Sequence, residues 1–558
     1  MFLNSAKHGC SENQTAERVS IKEIVFVLCI ILFAGVIRIP SLTQPIGPDQ
    51  GIMTVIGEGI LHGKIPYRDF WEMASPAIFF TYALMFKVFG HSMAAIPLTD
   101  TLVSMFTTFL VFMLARLIWG RKAGYISALF FALFSSGVRL GMHAGGDIAF
   151  GTFWYIAQRE TFMLPLVTGS LYFVICSERR EKKLWSLIVS GFLAGLSFVY
   201  KFPALVMFAC ILFYLNWNIL SGKAAKPVQT ILKKNIALLS GFMFALIPFV
   251  VFFHVRGALP EMINVIFKYV YSVYGHTKHD LLTTISLGLR RTSFFGQENF
   301  ILWVFFITSS IYIAINDRRK ENVLMALWGA ASVMYVISHR EFFGYHFLMI
   351  MPSFSVLAGY GIARAMKSNF SFRNVFSGEM EKTFIVIAVL LNIFIFATLV
   401  HAHYTKFYFY ATDKITKEQY YDFFTAYPEH DYSFPASYKI SQYLAKNTGP
   451  DDMIFVLGGI ESVVYFLSQR ESPSRFIFSW IIFSESHGRV KQAEEYREEL
   501  LNDLSAKIPK YIAIVHPLET FREFQGIYQF IHDNYVLEKT FPDDRFIYVH
   551  KEHKVKRT

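Results

Sequence analysis

Apolar runs of about 17 to 25 residues, separated by short basic turns, recur through the first 400 positions of this chain. Each is long enough for a helix to cross the ~30 Å hydrocarbon layer of a bilayer, which takes about 20 residues. The pattern predicts spans near 22–38, 93–117, 123–138, 161–177, 184–200, 203–220, 236–255, 300–316, 323–338, 347–365 and 383–400, about eleven transmembrane helices. One segment departs from it. Ala77 to Gly90 is apolar but short, with Lys87 inside it, which suits a helix lying in the interface. No small-residue cleavage site follows the first run, Ile24 to Ile37, so that run reads as a retained helix.

From about Tyr404 the periodicity changes. "ASYKISQYLAKN" has helical spacing, "DDMIFVLGG" and "KYIAIVH" read as buried strands, and "VKQAEEYREELLNDLSAKI" reads as a charge-laced amphipathic helix. "RFIYVHKE" alternates as a final strand. The fold class expected is therefore a polytopic α-helical membrane protein with a C-terminal soluble α/β domain. Its expected divisions are a cytoplasmic tail over 1–21, a transmembrane domain over 22–403 with a long outer loop at 39–92, and an extracytoplasmic unit over 404–558.

Composition agrees, with 54% hydrophobic and only 17% charged residues, where soluble chains carry about a quarter charged. The net charge of +11 is uneven: residues 1–404 hold 34 Lys+Arg against 20 Asp+Glu, and residues 405–558 hold 19 against 22. The basic excess thus belongs to membrane loops and sets orientation, and it does not point to nucleic acid. If Ala77–Gly90 does not cross, "WGRK", "SERREKK", "SGKAAKPVQTILKK", "NDRRK" and "MKSNFSFRN" all share the side of the N-terminus. The positive-inside rule then makes the N-terminus cytoplasmic and the C-terminal domain external. The four cysteines all precede residue 211 and outline no disulfide framework in the tail.

This orientation collects Asp49, Asp69, Glu72, His143, Asp147, Glu160, His276, His279, His339, Glu341 and His346 on the outer face. A carboxylate beside a bilayer is costly unless it is solvated, paired or used. Capping is one explanation, with Asp49 at the start of a short helix. The other is a site, since a loop of about 50 residues is unusually long between spans. Glu160 starts a helix from outside, where the helix dipole alone favours an acid.

The ordered motifs are "RIP", then "PD", then "GKIPYRDFWEMASP", an interfacial helix ending in "FG" and a basic turn. With "GFLAGLSFVYKFPAL" at 191–205 and "REFFGYHFLMIMPSFSVLAGYG" at 340–361, this series resembles the GT-C superfamily. It is most similar to the protein O-mannosyltransferase and aminoarabinose-transferase group, the glycosyltransferase family 39-like enzymes that use polyprenyl-phosphate sugars. The resemblance implies that Asp49 is the general base for an acceptor hydroxyl; Glu72 is taken as the second residue of the catalytic site, orienting substrate. Asp69, Asp147, Arg159, Glu160, Lys201, Arg340 and His346 are the residues expected to bind substrate. Asp147 and Glu160 are alternatives for the second-loop acid that holds the acceptor.

Two positions depart from the family. Gln50 stands where Asp-Glu is common, and Ala74 stands where a phosphate-contacting lysine is common. Lys201, Arg159, Arg139, Arg340 and His346 are the cations available to replace it. Lys201 also has the character of a snorkelling lysine.

The expected activity is inverting transfer of a sugar from a polyprenyl-phosphate carrier to a glycan, lipid or protein acceptor on the outer face of the cytoplasmic membrane. Two rivals stand beside it: a transporter or flippase that binds lipid-linked sugar without chemistry, and an inactive scaffold that keeps the fold but not the activity. No cofactor is expected to be required. A divalent cation enters only through the outer histidines, among them His276 and His279 in "HTKHD". "GFLAG" reads as a small-residue helix contact rather than as chemistry.

Overall fold

The computed structural model describes residues 20–136, 155–179, 184–220, 228–270, 281–339, 342–366, 401, 404–424, 432–483 and 491–555. Among them, six helices are long and apolar enough to cross a membrane: Ile21–Thr43, Ala95–Trp119, Arg159–Arg179, Gln229–Val255, Lys320–Ser338 and Gly344–Ala365. Leu184–Tyr200, Phe202–Leu215 and Phe300–Asn316 are shorter apolar helices in the same bundle. The 123–138 run forms the helix Arg121–Phe134, packed on Ala95–Trp119 and Ile350–Ala365. The expected span 383–400 lies outside the described residues. Ala77–Phe89 is a helix of 13 residues; at 1.5 Å per residue it rises about 20 Å, short of the hydrocarbon thickness.

The bundle is built for lipid on its outside. Leu232, Ile236, Leu239, Phe244, Ile247 and Val251 all lie exposed along Val228–Val255. A stripe of that size would be unfavourable in water. On its inner face this helix meets Leu184–Tyr200 through glycines. A Cβ on Gly191 would lie 1.9 Å from the Leu238 carbonyl oxygen, and one on Gly241 would lie 2.0 Å from that of Ile188. Backbone atoms cannot step aside, so only glycine permits this approach, as the small-residue motif suggested. Gly241→Val is expected to force the two helices apart and to destabilise by about 1–3 kcal/mol or more. Thermal unfolding of the detergent-purified protein would check this; an unchanged midpoint would contradict the contact.

The C-terminal part carries a four-stranded sheet of order β1-β2-β4-β3, with β1 Ile454–Leu457, β2 Tyr511–Ile514, β3 Tyr535–Phe541 and β4 Arg545–His550. β1 and β2 run parallel, while β2–β4 and β3–β4 are antiparallel. The continuous apolar strands β1 and β2 and the alternating β4 match the sequence expectation. So do the helices Phe434–Asn447 and Lys491–Ala506.

This unit is fastened to the loop segments that flank the helix Pro48–Leu61. The Trp71 amide donates to the Arg475 carbonyl at 2.9 Å, and the Tyr432 hydroxyl donates to the Ile46 carbonyl at 2.8 Å. The Arg475 guanidinium donates to the Tyr67 carbonyl at 3.1 Å while pairing with Glu261 at 2.8 Å and, through two nitrogens, with Glu499. Trp71, fully buried, sits edge-on to Tyr269 and Tyr496, and this arginine lies over the Tyr496 ring. Bidentate arginine–carboxylate pairing adds geometric specificity to such a joint.

Candidate active site

The helix Pro48–Leu61 starts with Gly47 at its N-cap and proline at its first position, a favourable helix start. Asp49 therefore lies inside the first turn and does not cap it. The helix dipole favours its negative charge there. Its carboxylate is half-buried, and among the described residues nothing donates a hydrogen bond to it. Electrostatic interactions tie it to Glu72, Arg159 and Lys201.

Glu72 is buried, 9% exposed, in the loop between Pro48–Leu61 and Ala77–Phe89. Its Oε1 accepts the Ala74 amide at 3.1 Å, and its buried Oε2 has no hydrogen-bond partner among the described residues. Burial first, and then the neighbouring Asp49 charge, push its pKa from 4.5 up to about 7. The two carboxyls thus have different tasks available: one is partly protonated at neutral pH, and the other lies at an open helix start. Because the folded pKa is the higher one, stability from Glu72 is complete below pH ~4.5 and is lost as pH rises through ~7. Glu72→Gln is expected to remove that dependence, gaining about 3 kcal/mol over wild type at pH 8 relative to pH 5. Melting curves at both values would show it; parallel curves would refute it.

A second cluster closes the site. Glu160, fully buried at the start of Arg159–Arg179, accepts the Lys201 ammonium at 2.5 Å and the Tyr335 hydroxyl at 2.9 Å, both at Oε1. His346 Nε2 lies 3.9 Å from the same oxygen. The His339 and His346 rings are 4.2 Å apart, and Lys201 sits over the Tyr345 ring at 5.6 Å. Lys201 is only 8% exposed and is an inward partner of Glu160, not a snorkelling residue.

Backbone strain marks the segments that deliver these groups. Tyr67, Ala157 and Phe342 are non-glycine residues at φ of 69°, 50° and 52°, each in a left-handed conformation that its surroundings must enforce. The Ala157 amide is held by buried Asp100 Oδ1 at 2.7 Å, and its carbonyl by the Tyr82 hydroxyl at 3.1 Å. Tyr67 is held by its own hydroxyl on the Ala74 carbonyl at 2.7 Å and by Arg475 from outside.

Gln50 now has a structural explanation. Its Nε2 donates to the Ile156 carbonyl at 2.9 Å in a fully buried position, joining the Asp49 helix to the segment that leads to Arg159 and Glu160. A carboxylate cannot make that donation. Gln50→Glu is expected to cost about 1–3 kcal/mol, read as a lower melting temperature; an unchanged one would contradict the role.

Of the residues singled out from the sequence, Asp49, Glu72, Arg159, Glu160, Lys201 and His346 come together. Asp69 does not join them. Its Oδ2 accepts the Ile65 amide at 2.7 Å and it pairs with Arg68, closing its own turn. Partial burial opposes its charge, but Arg68 and that amide outweigh burial and lower its pKa. Asp147, Arg340, Arg139, His276 and His279 lie outside the described residues. Sequence reasoning missed Asp100 and Tyr335, which sit within apolar helical runs and carry no local signal.

Fold and site together define a polytopic membrane protein whose acids and cations gather where helix ends meet a long loop and an appended α/β domain. Its fold is similar to that of solved polyprenyl-phosphate-dependent glycosyltransferases. The family model described as dolichyl-phosphate-mannose-protein mannosyltransferase matches residues 73–254. ArnT from Cupriavidus metallidurans in the apo state aligns with a TM-score of 0.55 at 13% identity, covering 94% of this chain and 98% of that one. The same protein bound to undecaprenyl phosphate aligns at 0.54 and 13%, covering 94% and 97%. The archaeal oligosaccharyltransferase AglB from Archaeoglobus fulgidus, in complex with an inhibitory peptide and a dolichol-phosphate, aligns at 0.50 and 11%, covering 96% and 75%. No curated protein sequence matches the chain.

Proposed function

We propose that this protein is an inverting glycosyltransferase that moves a sugar from a polyprenyl-phosphate carrier to an acceptor hydroxyl on the outer face of the cytoplasmic membrane. The observation that carries this reading is Asp49, a carboxylate at an open helix start, set beside the buried Glu72 and the cations Arg159 and Lys201. The structural neighbours solved with undecaprenyl phosphate and with dolichol-phosphate support a lipid-phosphate donor.

In this reading Asp49 takes the proton of the acceptor hydroxyl as its oxygen bonds to C1 of the sugar. The C1–O bond to phosphate breaks with its electron pair on the phosphate, which needs no protonation. Attack from the opposite face inverts the anomeric centre. A positioned base contributes about 10²–10⁴-fold. Glu72, partly protonated, orients a substrate hydroxyl. Lys201, Arg159 and His346 face the phosphate, in place of the lysine that Ala74 lacks. Phosphate must draw Lys201 from Glu160 or share it, and Tyr335 keeps Glu160 Oε1 hydrogen-bonded meanwhile.

A transporter would hold its charges at mid-membrane on broken helices, whereas these acids sit at helix ends and in the first loop. The test is release of free polyprenyl phosphate from a panel of lipid-linked sugars by purified protein. Turnover of one donor supports transfer and names the sugar. Tight donor binding without turnover of any donor would replace transfer with a scaffold role.

A further inference from the structure

The Glu160 cluster contains more unsatisfied atoms than an anion site explains. Among the described residues, Glu160 Oε2, His346 Nδ1 and His339 Nε2 are buried without a hydrogen-bond partner; Glu160 is fully buried and His346 is 3% exposed. Each such atom costs about 1–3 kcal/mol, and orphan groups gathered in one place call for a ligand. The three residues come from different elements: the start of Arg159–Arg179, the residue after Lys320–Ser338, and the turn Gly344–Met349. One donor atom from each falls within 4.8 Å of the others.

The groups behind them are arranged as for metal ligands. His339 Nδ1 lies 2.7 Å from the Tyr335 carbonyl oxygen. A carbonyl only accepts, so Nδ1 carries the proton and Nε2 presents a lone pair. Fixing the tautomer through the far nitrogen is what ligating histidines need. Glu160 is oriented likewise: Lys201 and Tyr335 both occupy Oε1, which leaves Oε2 to coordinate.

We infer that Glu160, His339 and His346 form a binding site for a divalent transition metal of the zinc type. Two imidazoles and one carboxylate are a donor set found at catalytic zinc, with the fourth position left open. Bonds of about 2.0–2.1 Å require the side chains to draw together from the present spread, by rotation of the two imidazoles. Only the ion's role rests on the transfer reading: its open position would take a phosphate oxygen, supplying positive charge that Ala74 does not.

The test uses full-length protein in detergent, stripped with chelator and reloaded with Zn²⁺ or with Co²⁺ as a spectroscopic probe. One ion per chain, the visible absorption of four- or five-coordinate Co²⁺, and a metal-dependent rise in melting temperature are expected. His339→Gln and His346→Gln should each weaken binding at least tenfold while melting like metal-free wild type. A stoichiometry near zero in wild type would overturn the site, as would binding unchanged in both variants and in Glu160→Gln. Asp49→Asn should bind the ion as wild type does. Metal binding in a wild type that turns over no donor would sustain the site and defeat the transfer reading instead.

Discussion

Exchanging Asp49 for asparagine is expected to reduce turnover of the lipid-linked donor by about 10²–10⁴-fold, the usual contribution of a general base, with donor affinity unchanged. The substitution is nearly isosteric, so the helix start at Gly47 and Pro48 should be undisturbed. The neighbouring Glu72 separates this reading from a purely electrostatic one. Removing the Asp49 charge takes away one of the influences that raise the Glu72 pKa, so residual activity in the variant should depend on pH at lower values than in wild type. Single-turnover rates across pH 5–9 would measure both effects. Equal rates for variant and wild type would exclude Asp49 as the base and leave Glu72 as the remaining carboxyl beside the same cations.

The second large effect concerns Lys201. Lys201→Ala leaves Glu160 buried with the Tyr335 hydroxyl as its described hydrogen-bond donor. Breaking one side of a buried ion pair typically costs about 3–5 kcal/mol. The double change Lys201→Ala/Glu160→Gln removes the stranded charge and should recover most of that stability, because a neutral amide still accepts from Tyr335. Turnover should remain low in both. Stability that falls as far in the double variant as in the single one would mean that Lys201 acts through packing against Tyr335 and Tyr345. Activity that returns with stability would remove Lys201 from the phosphate site.

The fold was legible in the sequence where one physical rule dominates. Long apolar runs have few alternatives to crossing a bilayer, and Ala77–Phe89 declared itself by being too short. Strand β3 was not legible. "YVLEKTF" lies at the sheet edge with Glu538 and Lys539 in its middle and a register shift between Leu537 and Lys539, so its alternation is broken. The acids of the site were visible because charge beside lipid is conspicuous. Their partners were not. Tyr335 reads as one more aromatic in an apolar helix, yet it lies 175 positions from the carboxylate it touches. Asp100 was passed over at a helix start, and its task of fixing the Ala157 amide exists only once 57 residues of intervening chain have folded back.

The fastening of the Tyr67–Trp71 loop by Arg475 sets an order of events in synthesis. Tyr67 and Arg475 are 408 positions apart. At about 5–20 residues per second, roughly 20–80 s separate the making of the loop from the making of its clasp. Through that interval Trp71 lacks Tyr496 throughout and Tyr269 for about the first half, and Tyr67 lacks one of the two bonds that hold its left-handed backbone. The first part of the site to be translated is therefore among the last to take its final form. A ribosome stalled before residue 475 would leave a chain with its helices inserted and the helix Pro48–Leu61 in place, but with the Glu72 loop unfastened.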